Sequence, residues 1–120
     1  MNQFVLMIYQ GTTPLPGSEA WEALPATEQH AIYAEYAEVN KTPGLEPGLP
    51  LGLPDDARTV RSKDGAAEVA VGPYLGTEGA VGGFVVLEAD DIDDAIALAA
   101  RIPAARLGGA VEVRPVAKYW

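Results

Sequence analysis

Gly83-Phe84-Val85-Val86-Leu87-Glu88 runs into Asp90-Asp91-Ile92-Asp93-Asp94-Ala95-Ile96, and Ala110-Val111-Glu112-Val113-Arg114-Pro115-Val116 follows after a break. The first run is apolar, β-branched and of strand length, so it predicts a strand. In the second, Ile92, Ala95, Ile96 and Ala99 mark one helical face, and the early Asp90 and Asp91 favour a helix start. The pattern predicts a helix over 90–102. Pro103 and Gly108-Gly109 end it, and residues 110–116 form a last strand.

Upstream of this block, Arg58-Thr59-Val60-Arg61 and Ala67-Glu68-Val69-Ala70-Val71 flank Lys63-Asp64-Gly65. Asp-Gly between two strand-like runs predicts a hairpin. Residues 42–54 hold four prolines and three glycines among leucines, which excludes a regular helix or a central strand. Leu45, Leu49, Leu51 and Leu53 predict an ordered loop packed on the fold, roofing a pocket. From Thr27 to Asn40 the spacing becomes helical, with Ile32, Tyr36 and Val39 at i, i+4, i+7 and Glu28, Glu35 and Glu38 free to face water. Residues 11–25 read as a loop that Trp21 and Leu24 dock onto the body, and Phe4-Val5-Leu6-Met7-Ile8-Tyr9 reads as a strand covered on both faces.

The order predicted is β-α-β-β-α-β, an α+β fold of ferredoxin-like type in one domain over residues 1–120. Two helices cover one sheet face. Because the strands at 4–9 and 83–88 are apolar on both sides, a symmetric second copy is the simplest cover for the other, which predicts a homodimer.

Leu6-Met7-Ile8-Tyr9, the aromatic segment Ile32-Tyr33-Ala34-Glu35-Tyr36, Thr59-Val60-Arg61 and the turn Val71-Gly72-Pro73-Tyr74 are followed by a C-terminal block. In that block Pro103, Arg106, Gly108, Glu112, Val113, Arg114, Pro115 and Val116 stand in register. Over essentially its whole length the chain resembles the YCII-related family, in its DGPF-domain branch. The resemblance implies a dimeric α/β barrel with a pocket, and it names no reaction. It also implies that Val71 stands where the branch has the Asp of its Asp-Gly-Pro-Phe segment, and Tyr74 where it has the Phe. A mechanism that needs that Asp cannot be carried over.

The 120 residues include no cysteine and one histidine, which excludes disulfides, thiolate nucleophiles and any His-rich metal cluster. No metal and no cofactor is expected. A formal charge of −9, with only eight Lys and Arg, disfavours nucleic acid and anionic membranes as partners. No run of eighteen apolar residues and no signal-peptide pattern is present, so a cytoplasmic location is expected.

Three residues are candidates for a site. By resemblance Tyr36 occupies a position where the founding YCII-type proteins have a pocket-facing histidine, so its phenol could act as a donor or weak acid. It reads also as a core aromatic beside Ile32 and Val39, its hydroxyl bonded to backbone. Tyr74 brings a hydroxyl to the altered turn, or only packs. Arg106 can clamp a substrate carboxylate, or pair with an acid of the chain such as Glu112 or Asp94, and Arg114 invites the same two readings. Tyr36 and Tyr74 are thus the catalytic candidates, and with Arg106 they form the substrate-binding set.

Other features invite chemistry less. His30 lies two residues before Ile32, about 200° around the axis, and so belongs on the wet face. Asp90, Asp91, Asp93 and Asp94 lack the glycine turn and final glutamate of a calcium loop. No Gly-Lys-Ser/Thr follows the glycines at 72–83, so they do not read as a phosphate loop; Gly82-Gly83 suits a close backbone approach. A small-molecule pocket protein is expected, acting without a cofactor as an isomerase, cyclase or lyase on a largely apolar organic substrate. The alternative is a non-catalytic ligand-binding or interaction module.

Overall fold

A computed structural model describes residues 1–119. The chain is α+β, with strands β1 (Asn2–Tyr9), β2 (Leu45–Pro47), β3 (Arg58–Lys63), β4 (Ala66–Val71), β5 (Val81–Ala89) and β6 (Ala110–Pro115). Its helices are α1 (Glu19–Glu22), α2 (Ala26–Asn40) and α3 (Ile92–Ala99). Four strands form an antiparallel sheet in the order β2-β5-β1-β6, and β3-β4 forms a separate two-stranded sheet.

This arrangement corrects the expected β-α-β-β-α-β dimeric α/β barrel. β2 pairs only with β5 and β6 only with β1, so both edges of the larger sheet are open and no sheet closes into a barrel. The hairpin strands expected inside the sheet hydrogen-bond only to each other. Their place at the edge is taken by Leu45–Pro47, where a proline at the end of a three-residue edge strand interrupts no central ladder.

Alternation decides which side chains of the sheet are buried. Phe4, Leu6, Val85 and Leu87 point to the helix-covered face and are buried, with Leu6 fully so. Opposite them lie Val39 of α2 and Ala95, Leu98 and Ala99 of α3, followed by Ile102 and Ala104. The helix α3 therefore uses positions 95, 98 and 99, continued by Ile102 just beyond it, whereas the expected stripe included Ile92 and Ile96, which are 43% and 50% exposed. Both stripes have helical spacing. The chosen one sets two alanines against the sheet and completes the face with Leu98 and Ile102. Asp91 caps α3, its Oδ1 accepting from the Asp94 N–H at 3.0 Å.

The segment 11–25 contains α1, which Ser18 caps by accepting from the Trp21 N–H at 3.2 Å. Trp21 is buried and meets Tyr33 of α2 edge-on at 5.2 Å between ring centroids, so it docks this segment as its sequence predicts. The leucines of 45–53 divide. Leu45 packs against the core, while Leu49 and Leu51 are exposed. At Gly48 a Cβ would come within 2.0 Å of the Phe84 carbonyl oxygen, so this loop approaches β5 too closely for any side chain.

The other face of the sheet carries Val5, Met7, Tyr9, Phe84 and Val86 and has no helix over it. The molecule is flat, 46 × 45 × 18 Å, with a radius of gyration of 16.0 Å against about 13.5 Å for a compact domain of this length. Its accessible surface, 8046 Å², exceeds by about 1,800 Å² what a compact monomer of this mass exposes.

Candidate functional site

The hairpin builds a groove from a few local rules. Asp64 and Gly65 both have positive φ, 50° and 81°, the backbone of a tight two-residue hairpin turn. Counting back from that turn pairs Arg61 with Glu68 and Thr59 with Ala70. These four share one face, and Val60 and Val69 take the other. Past β4 the chain reverses at Gly72, whose φ of 101° a side chain would resist. The reversal is tied down twice: the Gly72 N–H donates to the Ala57 carbonyl at 2.8 Å, and the Thr59 hydroxyl donates to the Gly72 carbonyl at 2.7 Å.

The turn brings Tyr74 back along the hairpin. Its ring lies 5.8 Å from the Arg61 guanidinium, a cation–π contact worth about 0.5–1 kcal/mol at an exposed position. Thr59, Arg61, Glu68, Ala70, Pro73 and Tyr74 line a groove of about 310 Å³. Tyr74 is 67% exposed where it lines the groove.

Arg106 lies elsewhere. It is paired with Glu35 of α2, and this hydrogen bond to the carboxylate holds the guanidinium above its ordinary pKa. The internal partner is thus Glu35; the acids weighed in the sequence were Glu112 and Asp94. Glu112 stands 4.0 Å from Arg114, at the outer limit of an ion pair. Arg106, Arg101, Glu35 and Glu38 line a shallow depression of about 360 Å³ between α2 and the end of α3.

Tyr36 stands on the inward stripe of α2, partly buried against the core with Val39. Burial pushes its phenol above the usual value, the backbone of Ala104 pulls it partway back, and the Glu35 charge adds to the rise. The hydroxyl therefore keeps its proton at neutral pH. Tyr36 lines neither the hairpin groove nor the Arg106 depression. Glu35 pairs with Arg106 and its charge acts on Tyr36, while Tyr74 lies in the hairpin groove.

His30 is exposed on α2, as its helical position requires. Among the described residues no group of three or more His, Cys, Asp or Glu could hold a metal ion, and no helix is long and apolar enough to cross a membrane. Two residues of the groove, Arg61 and Glu68, were not singled out in the sequence. The register set by Asp64-Gly65 was a signal that could have found them, since it places this Arg and this Glu directly opposite each other. Gln10, buried and donating from Nε2 to the Thr77 carbonyl at 3.2 Å, had no such signal.

The comparisons with known proteins bear on the whole of this architecture. A family model described as the YCII-related domain matches residues 3–119. A comparison with curated proteins finds no match.

Proposed function

Since the chain belongs to the YCII-related family, we propose that it is a small-molecule binding protein of the DGPF branch, with its ligand in the hairpin groove. In this reading Val71-Gly72-Pro73-Tyr74 stands for the branch's namesake segment, and Tyr74 contacts the ligand. The observation that carries it is the groove itself. About 310 Å³ is at the small end of the range for ligand sites, and Tyr74 is held in place by Arg61 beside a backbone reversal fixed by two hydrogen bonds. Titration of small aromatic compounds into the labelled protein should shift the amides of residues 58–76. Tyr74→Ala should weaken that binding about tenfold or more with an unchanged unfolding midpoint, because ring stacking on the ligand is lost. Equal affinity in Tyr74→Ala would remove the groove from the reading.

A catalytic reading, separate from the hairpin groove, rests on Tyr36, whose phenol stays protonated and so has a proton to offer a carbonyl of an apolar substrate. The reaction would be a cofactor-independent isomerisation, cyclisation or elimination. Tyr36→Phe should then abolish most turnover while the protein stays folded; turnover intact in that variant rules the role out.

We also propose that the protein works in the cytoplasm and pairs with a second copy over the sheet face carrying Val5, Met7, Phe84 and Val86. Support comes from the excess surface of about 1,800 Å², roughly twice what one partner buries in a standard interface. Sedimentation at micromolar concentration should give twice the chain's 12.6 kDa. A persistent monomer would remove the second copy.

A further inference from the structure

We propose that the hairpin groove selects an α-amino carboxylate with an apolar or aromatic side chain. The inference rests on the binding role proposed above and names the class of ligand. Arg61 and Glu68 are directly opposed in the β3-β4 register and share one face. Opposite charges placed so on a two-stranded sheet ordinarily pair. Here they do not, for the ion pairs among the described residues are Lys41–Glu38, Arg106–Glu35 and Arg114–Glu112. The guanidinium of Arg61 is drawn instead over the Tyr74 ring.

The chemistry of such a pair follows from its geometry. A guanidinium held 5.8 Å from a ring centroid still has its planar fork of N–H donors to offer, and that fork matches a carboxylate. Across the groove the Glu68 carboxylate offers only acceptors, which call for an ammonium or another donor. A molecule that satisfies both must carry an anion and a cation about one residue's width apart. An α-amino acid does so on a single carbon. Its side chain would lie on Tyr74, Pro73 and Ala70, the apolar part of the wall. An anion alone would meet Arg61 but face the Glu68 charge, and a cation alone would face Arg61.

Four probes separate the possibilities: L-phenylalanine, phenylacetate, phenethylamine and benzyl alcohol, titrated into the labelled full chain at low ionic strength and followed at the amides of residues 58–76. L-Phenylalanine should bind at least about tenfold more tightly than each of the others. Arg61→Gln should erase its advantage over phenethylamine, and Glu68→Gln its advantage over phenylacetate. Both side chains are exposed, so neither change threatens folding. If all four probes bind the hairpin alike, or phenylacetate binds best, the ligand class is overturned and the binding role stands. If none of them shifts the hairpin amides, the binding role falls with it.

Discussion

The four-stranded sheet and the β3-β4 hairpin both carry alternating apolar side chains, in opposite environments. In the sheet, Val85, Leu87 and Leu6 alternate into a face sealed by α2 and α3. In the hairpin, Val60, Val69 and Val71 alternate just as regularly and remain 62%, 65% and 75% exposed. Strand propensity and a strong turn are therefore enough to define a hairpin locally, but burial depends on what packs against it. An isolated two-stranded hairpin is marginally stable in water, and this one is held by its turn, the Thr59–Gly72 bond and the cation–π contact of Arg61 with Tyr74. The sheet carries the fold. The hairpin is free to carry the proposed ligand site.

The sharpest way to break this contrast is to truncate one apolar side chain to alanine in each region. Leu6→Ala removes a fully buried side chain and should cost about 3 kcal/mol of unfolding free energy. Val69→Ala, on the hairpin's exposed face, should stay within about 0.5 kcal/mol. Urea unfolding reads both as midpoint shifts at constant slope; similar shifts would mean that the hairpin belongs to the core.

A smaller effect comes from Tyr36, at the boundary between core and candidate chemistry. Replacing it by Phe should cost about 1 kcal/mol at pH 7. Its phenol titrates higher in the folded than in the unfolded chain, so above a pH of about 10 the unfolded state releases the proton first. The contribution is fully present below pH 10 and is lost as pH rises through the folded value. Unfolding measured from pH 9 to 11 should fall less steeply in Tyr36→Phe than in the parent, and identical slopes would contradict the burial of this phenol.

The smallest effect belongs to Arg106 and Glu35. Both are partly open to solvent, so salt screens their pairing. A double-mutant cycle with Arg106→Ala and Glu35→Ala should show a weak coupling that fades as salt is raised. Coupling that is insensitive to salt would indicate a pair shielded from water.

Much of the fold was legible in the sequence because local rules decide it. The stripe of Ile32, Tyr36 and Val39, the capping aspartate of α3, the docking of Trp21 and the Asp64-Gly65 turn each depend on neighbours in the chain. What was not legible depends on contacts distant in sequence. Nothing local tells Leu45–Pro47, a three-residue strand ending in proline, to take a sheet edge in preference to the longer, valine-rich β3 and β4. Residues 92–102 hold two overlapping helical stripes that share Ala95 and Ala99, and only packing on the sheet selects Leu98 and Ile102 over Ile92 and Ile96. The barrel expected from the resemblance failed on the same point, since closure requires edges to meet and here both remain open. For the site, Tyr74 could be read from its altered turn. Arg61 and Glu68 required the strand register, which Asp64-Gly65 already contained.

Native-state hydrogen exchange tests the division between sheet and hairpin most directly, because it reads opening free energies amide by amide. Paired amides of β1 and β5 should exchange only by global unfolding, while those of β3 and β4 should exchange at least about a hundredfold faster, through local opening. Saturating L-phenylalanine should slow the hairpin amides and leave the sheet amides unchanged beyond the shift that binding imposes on global stability. Hairpin amides as protected as those of β1, or protection by the amino acid that appears only in the sheet, would contradict the account.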